Sequence, residues 1–352
     1  MSKIVKLPPD VVAKIAAGEV IERPSFAVKE LVENAIDAGA TTITIHIEES
    51  GLKRIQVIDN GEGMSSVDLQ IAFLPHTTSK IKNEDELISI KTLGFRGEAL
   101  SSIAAISSLT IQSRQKNNPS GTTIEIRQGR VEHIGKIGIP FGTIVTVDDL
   151  FSPVPARKKF LRSQLTEFRH ITDIVLHFAL SYTTIHFVLT HNKTPILDIP
   201  PKKDVKERLT ITFGDDVFEQ FLPFTFSDSY IHLSGYIGKP HVASRTNKQQ
   251  FIFVNNRFVQ DKLISLAVKE AFGTLLPSST TPLFVLHIKL PPEAVDVNVH
   301  PRKEQVNFAN SRLVFDMVKQ AIIEILANNN ITFSLQSFDS SLRKGETTSF
   351  SG

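Results

Sequence analysis

Apolar positions repeat at helical spacing in one stretch that the rest of the chain surrounds, PSFAVKELVENAIDAG, residues 24–39. Pro24 suits the first position of a helix because its φ is fixed and its missing N–H is not needed there, and Gly39 suits the position just past a helix end. The apolar residues fall at i, i+3, i+4, i+7 and i+8, which places on one core-facing stripe Val28, Leu31, Val32, Ala35 and Ile36. The pattern predicts a helix of about four turns.

Polar residues recur on the opposite face of this helix, at Glu30, Asn34 and Asp37. Side chains four positions apart have Cβ atoms about 5–6 Å apart, so a carboxylate and a carboxamide here could act on one ligand. The carboxylate would orient a water and the amide oxygen would help to hold a divalent cation. A solvated polar face is the alternative for Glu30, whereas Asn is disfavoured in mid-helix and indicates a function for Asn34.

Alternation of apolar and polar residues predicts strands after this helix. Residues 43–47 and 55–58, separated by a Ser50-Gly51 turn, predict a β-hairpin with one face on a core. Further strands are predicted at 107–114, 121–127 and 142–148, which complete an antiparallel or mixed sheet. Helices are predicted at 9–20, ending near Gly18, from Ser65 to about Phe73, from about Gly97, and from Arg157 to about residue 180.

The second half of the chain shows a different order of elements. Paired prolines in PPKK, residues 200–203, predict a linker, followed by a helix near 204–212 and a strand near 230–238. A strand at 250–254, a helix at 261–272 and a strand at 283–290 predict a right-handed β-α-β crossover. An apolar stripe predicts a closing helix through Leu313, Val314, Met317, Val318, Ile322 and Leu326.

Length and composition set limits on these elements. A chain of 352 residues exceeds one typical domain. The division is predicted as a first domain over 1–200, a second over 204–335, and a polar, aperiodic disordered linker over 336–352. The net charge of +2 leaves any basic patch to be found locally. The absence of cysteine excludes disulfides and thiol chemistry, and no apolar run is long enough for a signal peptide or a membrane span, so a cytoplasmic location is expected.

Three glycine-containing or hydroxyl-rich segments suggest a nucleotide site. In DNGEGM, Asp59 ends a strand and Gly61 and Gly63 let the backbone approach a flat ligand, although D-N-G is also an ordinary turn. HTTSK carries hydroxyls and a cation that could contact phosphate or face solvent. GFRGEAL offers the backbone N–H groups of a helix start to an anion, or is a plain loop-to-helix turn. A phosphate-binding Walker A motif is not present, since Gly135-Lys136-Ile137 lacks both the glycine spacing and the hydroxyl.

A basic run, VPARKKFLR, is predicted to begin the helix that runs to about residue 180. Cations are disfavoured at a helix N-terminus. A solvated charged face is one interpretation, and an anionic partner is the other.

In this order, the segments resemble the GHKL ATPases, and specifically the MutL family of DNA mismatch repair. The motifs that carry the resemblance span residues 15–303: IAAGEVIERP, ELVENAIDAGA, DNGEGM, TTSK, GFRGEAL, PARKKFL and VDVNVHPRK. The resemblance implies an α+β fold, with a GHKL (Bergerat-type) ATPase α/β sandwich followed by a smaller, ribosomal-protein-like β-α-β domain.

The resemblance also implies roles for individual residues. Glu30 matches the general base for the water that attacks the γ-phosphate, Asn34 the Mg²⁺ ligand, and Asp59 the residue that reads the adenine amino group. Gly61 and Gly63 match the turn beneath the base. The remaining cofactor-binding positions are Thr143 of the adenine-side pocket and the ATP-lid residues Thr78, Ser79, Lys80, Gly94, Phe95, Arg96 and Gly97.

Two further sites are implied in the second half and at the basic run. Lys303 matches a lysine that reaches from the second domain to the γ-phosphate. Arg257, in VNNR, matches a position associated with DNA contact. Weak, sequence-independent DNA binding is therefore expected, dominated by phosphate contacts, through Arg157, Lys158, Lys159, Arg162 and Arg257.

The implied function is a slow, Mg²⁺-dependent ATPase of mismatch repair. ATP orders the lid and N-terminal arm, and two chains then associate as a homodimeric DNA clamp that hydrolysis resets. Its partners would be a mismatch recognition protein of the MutS type and strand-removal factors. The alternative is a nucleotide-gated DNA-binding module with negligible turnover. A topoisomerase ATPase subunit, a heat-shock chaperone and a sensor kinase are disfavoured by VNNR and VDVNVHPRK.

One position departs from the family pattern. MutL proteins usually carry Asn-Thr before the PAR motif, where this chain has Pro153-Val154. Polar contacts made by that pair in relatives are in doubt here, and the loop is stiffer. MutL chains also continue past a linker into a dimerisation domain, so this chain is expected to be a fragment or a truncated form.

Overall fold

A computed structural model gives the fold of the chain. It describes residues 5–80, 93–94, 97–202, 205–246, 249–296 and 306–331. The predicted linker at 336–352 lies outside the described residues, as do Phe95, Arg96 and Lys303.

An eight-stranded sheet dominates the first part of the chain. Its strand order is β5-β4-β3-β6-β2-β1-β7-β8. The sheet is mixed, because β1 pairs antiparallel with β2 and parallel with β7. Its strands are β1 Thr42–Glu48, β2 Arg54–Asp59, β3 Ser108–Arg114, β4 Gly121–Arg127, β5 Arg130–Ile137, β6 Gly142–Asp148, β7 His186–His191 and β8 Thr194–Ile199.

Helices cover one face of this sheet. They are α1 Pro9–Val20, α2 Pro24–Asp37, α3 Ser66–Ile71, α4 Ala99–Ala105, α5 Pro155–Lys158 and α6 Gln164–Ser181. Alternate side chains of the central strands, such as Ile43, Ile45 and Ile47, are buried in the same core as the apolar stripe of α2. The predicted hairpin and the predicted central helix are therefore confirmed.

Two strands missed by the sequence patterns lie at the two edges of the sheet. Most residues of β5 are exposed, including Val131 and Ile134, and β8 is mostly exposed as well. An edge strand without a buried face has no alternation from which to predict it. The strand β7 was also missed, although Phe187 and Leu189 alternate with polar residues there and are buried.

One of the predicted helices was wrong. The long helix predicted from Arg157 is two helices, since α5 ends at Lys158 and α6 begins only after Ser163, whose Oγ accepts from the N–H of Thr166 at 3.3 Å. Helix α4 begins two residues after Gly97, whose φ of +62° is not helical. Helix α1 has the predicted bounds, Pro9–Val20, so its prediction is confirmed.

A five-stranded sheet follows, in the order β12-β11-β13-β10-β9. Its strands are β9 Phe221–Ser227, β10 His232–Gly238, β11 Gln250–Val254, β12 Arg257–Val259 and β13 Phe284–Lys289, and a short pair consists of β14 Val295–Asp296 and β15 Asn307–Phe308. The accompanying helices are α7 Val205–Phe213, α8 Asp215–Phe218, α9 Lys262–Phe272 and α10 Ser311–Asn328. The predicted crossover is confirmed, because β11 and β13 pair in parallel with α9 between them.

Both faces of the second sheet are buried. Alternate residues Ile252 and Val254 pack with α9 and α10, whereas Phe251 and Phe253 pack with α7, α8 and Leu180 of α6. Strand β9, which contains a proline and was missed, forms an edge, as expected for a strand that lacks one ladder N–H. In α10 the predicted stripe is buried except at Leu313, which is exposed, and at Met317, which is half-buried.

Arg208 of α7 joins the two parts of the chain. Its guanidinium is 1% exposed and donates to main-chain carbonyls at the end of α6, in the following turn and after β8. Burial lowers the pKa of Arg208 to about 10. The Arg208 guanidinium donates to carbonyls at the C-terminal end of α6, where a helix leaves its last carbonyls without N–H partners. The helix dipole also favours a cation there.

Among the described helices, none has both the length and the apolar character needed to cross a bilayer.

Candidate nucleotide-binding site

The polar face of α2 forms one wall of the candidate site. Pro24 occupies the first turn of α2 and its apolar stripe holds the helix against the sheet, so Glu30, Asn34 and Asp37 are turned away from that core. The Glu30 carboxylate keeps 20% of its side-chain surface exposed, and its Oε1 lies 3.9 Å from Nζ of Lys29. It is therefore open enough to meet a water molecule or a ligand.

Asp37 and Asn34 meet on one cation, the ammonium of Lys80. Lys80 Nζ lies 2.9 Å from Asn34 Oδ1 and 2.5 Å from Asp37 Oδ2. The Asp37 carboxylate also accepts from the N–H of Leu93 at 3.0 Å and from the N–H of Gly94 at 3.1 Å. The structure thus brings together three of the predicted site residues, Asn34, Lys80 and Gly94, and adds Asp37, which contacts Lys80 and Gly94.

The same cluster is suited to a hard divalent cation. The carboxamide oxygen of Asn34 and the carboxylate of Asp37 already converge on a positive charge, and oxygen ligands of this kind are those that Mg²⁺ takes. No group of three or more His, Cys, Asp or Glu side chains that could hold a metal occurs in the part of the chain that the structure describes. A cation here would therefore need further oxygen ligands from a bound molecule or from water.

Asp59 lies at the end of β2, opposite Thr143 of β6. Its Oδ1 accepts from the N–H of Gly61 at 2.8 Å. Burial raises the pKa of the Asp59 carboxyl to about 6, against the opposing effect of hydrogen bonds from the N–H groups of Gly61 and Thr143. A buried carboxylate at a strand end, with part of its acceptor capacity unused, can accept a hydrogen bond from an exocyclic amine.

Glycine is required at both positions of the DNGEGM turn for steric reasons. A Cβ at Gly61 would lie 2.7 Å from the Ala38 carbonyl oxygen, and one at Gly63, where φ is +70°, would lie 2.3 Å from the Arg114 carbonyl oxygen. The N–H of Glu62 also donates to the Ala38 carbonyl at 3.0 Å. The turn therefore packs directly on the C-terminal end of α2.

Ser113 of β3 is a site residue that sequence reasoning missed. Its Oγ accepts from the N–H of Met64 at 2.8 Å and lies 2.9 Å from Thr143 Oγ1. It thereby ties the glycine turn to Thr143, which is itself buried. A serine at a buried position of an alternating strand was the only signal for it.

The HTTSK and GFRGEAL segments lie against each other. A Cβ at Gly97 would be 2.4 Å from the Thr77 carbonyl oxygen, and His76 Nδ1 lies 3.2 Å from Glu98 Oε1. Thr78 and Ser79 are exposed, and the Thr78 hydroxyl accepts from the N–H of Lys80 at 3.1 Å. The two segments are therefore neighbours, although Phe95 and Arg96 lie outside the described residues.

The basic run forms a largely exposed surface. Lys158, Lys159 and Arg162 are exposed, and Arg157 is half-buried over Gly18 of α1. Among the described residues, no carboxylate lies within ion-pair distance of these four side chains. The described carboxylates therefore do not neutralise them by ion pairing.

Arg257 is not part of that surface. It lies in a cleft between α2, α6 and the β11–β12 hairpin, lined also by Lys29 and Glu33, and its Nη2 donates to the carbonyl of Leu93 at 3.3 Å. The structure therefore separates Arg257 from the other four residues predicted to contact DNA. Lys303, predicted to reach the γ-phosphate, lies outside the described residues.

The fold and the site together define a domain of the histidine kinase-, DNA gyrase B- and HSP90-like ATPase class, and the family model of that description matches residues 21–139. A second model, described as the DNA mismatch repair protein, C-terminal domain, matches residues 209–327. The chain belongs to the MutL family of DNA mismatch repair proteins. The predicted fold class is confirmed.

Individual relatives agree with this assignment. The DNA mismatch repair protein MutL of Koribacter versatilis is 39% identical over 350 residues, which cover 92% of this chain and 54% of that protein. MutL of Chloroherpeton thalassium is 42% identical over 322 residues, covering 92% of this chain and 50% of that protein. The chain spans about half the length of the curated relatives that it matches.

Solved structures share the architecture. The N-terminal domain of a DNA repair protein superposes with a TM-score of 0.79 at 27% identity, covering 91% of this chain and 99% of the other. The Aquifex aeolicus MutL ATPase domain complexed with ADP superposes with a TM-score of 0.61 at 25% identity, covering 86% of this chain and 97% of that one.

Proposed function

We propose that this chain binds ATP between the DNGEGM turn and the polar face of α2, and hydrolyses it slowly. The observation that carries the proposal is the hydrogen bond from the Glu62 N–H to the Ala38 carbonyl. It joins the turn that carries Asp59 to the end of the helix that carries Glu30 and Asn34. The carboxylate proposed to read the base and the helix surface proposed to face the phosphates therefore adjoin.

Each residue then has a role that its surroundings support. Asp59 accepts from the adenine amino group, with Gly61, Gly63 and Thr143 shaping the pocket around the base. Thr78, Ser79, Lys80 and Gly94 hold the phosphates, together with Phe95, Arg96, Gly97 and Lys303 as the family resemblance implies. Lys80 is placed for this, because within the described part of the chain its ammonium is held by Asn34 and Asp37 of the same site.

Asn34, with Asp37 beside it, would hold Mg²⁺. A bound divalent cation neutralises phosphate charge and makes the γ-phosphate a better electrophile. Glu30 accepts a hydrogen bond from the attacking water and takes its proton as the new P–O bond forms, while the bond from the γ-phosphorus to the bridging oxygen breaks and ADP leaves. Glu30 stands one helical turn before Asn34, so water and cation are presented from the same face of α2.

Nucleotide affinity should fall as the pH drops through 6. The Asp59 carboxyl has a pKa of about 6, so the unliganded protein increasingly holds a proton there below that pH. Binding through the carboxylate then requires release of this proton. Titration calorimetry with ADP should show binding up to about tenfold weaker at pH 5 than at pH 7.5 from this group alone.

Asp59→Asn is the matched control, because it keeps the size of the side chain and removes its charge. It should bind ADP more weakly than wild type at pH 7.5 and retain only the pH dependence of the nucleotide phosphate itself. If the two pH profiles ran parallel, Asp59 would not be the group that reads the base.

We also propose weak, sequence-independent binding of DNA phosphates by Arg157, Lys158, Lys159 and Arg162. The exposure of Lys158, Lys159 and Arg162 supports this, as does the lack of an ion-pairing carboxylate for any of the four among the described residues. Each phosphate contact contributes about 0.9 to the slope of log affinity against log salt concentration. Replacing all four by Ala should therefore reduce that slope by about 3–4 on a duplex, measured by fluorescence anisotropy.

A control variant should remove the same number of charges at exposed lysines elsewhere: Lys116, Lys136, Lys193 and Lys269. The control should keep most of the salt slope. Equal slopes in the two variants would show that DNA does not use the basic run. The DNA contact predicted for Arg257 stays a prediction, and this experiment does not address it, because Arg257 lies in a cleft separate from the basic run.

At the level of the whole protein, we propose that ATP binding brings two copies together through their N-terminal parts as a clamp around DNA, which hydrolysis reopens. A mismatch recognition protein of the MutS type and strand-removal factors would act with it in the cytoplasm. Membership of the MutL family supports these proposals. The division of the chain at residues 200–204 is also proposed, and is supported by the two separate sheets.

A further inference from the structure

Leu93 contacts both the candidate nucleotide site and the second sheet through its own main chain. Its N–H donates to Asp37 Oδ1 at 3.0 Å, and its carbonyl accepts from Arg257 Nη2 at 3.3 Å. Asp37 ends α2, and Arg257 begins β12. A single residue therefore bridges the helix that carries Glu30 and Asn34 and the hairpin of the other sheet.

The Asp37 end of this bridge is firmly held. The Asp37 side chain is 8% exposed and its two oxygens receive Lys80 and the N–H groups of Leu93 and Gly94. Hydrogen bonds to a buried carboxylate are charge-assisted and stronger than neutral ones. Because Lys80 and the Leu93–Gly94 backbone share one acceptor, a change in the position of Lys80 alters what holds that backbone.

The Arg257 end is held by the second sheet and α6. On one side of Arg257, the Asn256 carbonyl accepts from Ser181 Oγ at 2.5 Å. On the other side, the Phe258 ring stacks on His177 with ring centroids 3.5 Å apart and planes 19° apart. Because both neighbours of Arg257 are held in this way, its guanidinium reaches Leu93 from an anchored backbone. A movement of the β11–β12 hairpin would therefore move the guanidinium.

We propose that Arg257 is a positioning residue for the nucleotide site: it sets the Leu93–Gly94 backbone from the second sheet and so couples nucleotide binding to the β11–β12 hairpin. The proposal rests on the proposed function, in which Lys80, Asn34 and Gly94 receive the nucleotide. A ligand that draws Lys80 away from Asp37 changes the contacts at Leu93, and through them the contact of Arg257. Linkage makes the effect reciprocal, so loss of Arg257 must alter nucleotide affinity.

The test combines calorimetry with hydrogen exchange on wild type, Arg257→Ala and Arg257→Lys, using ADP as the probe. In wild type, ADP should change the exchange of hairpin amides at residues 250–259. In Arg257→Ala, ADP should bind about fivefold or more weakly, and the change at the hairpin should disappear. Arg257→Lys should restore part of both effects, because a lysine can still donate to the Leu93 carbonyl.

Lys262→Ala is the matched control, since Lys262 is an exposed cation close to the same hairpin, and it should behave as wild type. A double variant that combines Asp37→Asn with Arg257→Ala supplies a second measurement, to be compared with the two single variants. If Leu93 links the two, their effects on ADP affinity are non-additive.

Three results would overturn the inference. Wild-type ADP affinity in Arg257→Ala with an unchanged hairpin response contradicts it and leaves the proposed function intact. Additive effects in the double variant contradict the link through Leu93. Failure of the wild-type protein to bind ADP at all removes the proposed function itself, and the coupling with it.

Discussion

Replacement of Glu30 by Ala should lower ATP turnover by about 10²- to 10⁴-fold, the usual contribution of a general base. ADP affinity should stay close to that of wild type, because Glu30 is needed for the water and not for the base or the phosphates. Glu30 is partly exposed on the polar face of α2, and its closest charged partner, Lys29 Nζ, is 3.9 Å away. Steady-state phosphate release and calorimetry on the same preparation measure the two effects.

Glu62→Ala is the control for this experiment, since Glu62 is an exposed carboxylate of the DNGEGM turn. It should keep both turnover and affinity. Equal turnover in Glu30→Ala and wild type would show that a group other than Glu30 acts as the general base. Absence of turnover in wild type, with ADP bound, would favour the nucleotide-gated binding module over the ATPase.

Replacement of Arg208 by Met should destabilise the fold by about 3–5 kcal/mol, because an unsatisfied buried acceptor costs about 1–3 kcal/mol and several are created. Methionine fills a similar volume but donates no hydrogen bond, so several buried acceptors lose their partner at once. The carbonyls concerned are those of Ala179, Tyr182, Thr183, Ile185 and Pro200. Denaturant unfolding followed by circular dichroism measures the change.

Arg312→Met is the matched control, because the Arg312 side chain is 93% exposed and its ion pair with Asp316 is 3.9 Å long. Exposed pairs of this kind contribute about 0–1 kcal/mol. Arg208→Lys should be intermediate, since one ammonium has three donors and cannot reach every carbonyl. A loss below about 1 kcal/mol in Arg208→Met would show that these carbonyls find other partners, which the ordinary cost of an unsatisfied buried acceptor argues against.

The sequence predicted α2 and its polar face well because two independent signals coincide there. Pro24 and Gly39 mark the ends of the helix, and the apolar stripe orients it. The β11–α9–β13 crossover was predicted for the same reason, since strand and helix periodicities alternate clearly. The edge strands β5 and β8 were not, because exposure removes the alternation that identifies a strand.

At the site, the sequence identified individual residues within motifs, but not the contacts between residues of different motifs. Asn34, Asp59 and Lys80 were selected from spacing and from family resemblance, but no periodicity indicates that Lys80 lies on Asn34 and Asp37. Ser113 was missed because its partners come from the glycine turn and from β6, both distant in sequence. Contacts that depend on chain topology cannot be deduced from local pattern.

Arg257 illustrates the same limit from the other direction. Family resemblance associated it with DNA, grouping it with four cations of the basic run. The structure instead places its guanidinium in the cleft beside α2, with a hydrogen bond to Leu93. The VNNR motif identifies Arg257, but the residues around it in space depend on how the two sheets are joined through α6.

The most direct test of the account is a crystal structure of the chain with a non-hydrolysable ATP analogue and Mg²⁺. We expect the adenine amino group on the Asp59 carboxylate, the cation on Asn34 Oδ1 and the γ-phosphate facing Glu30, with Lys80 moved from Asp37 to the phosphates. A nucleotide bound elsewhere, or one bound at the candidate nucleotide-binding site with its base away from Asp59, would contradict the proposed function.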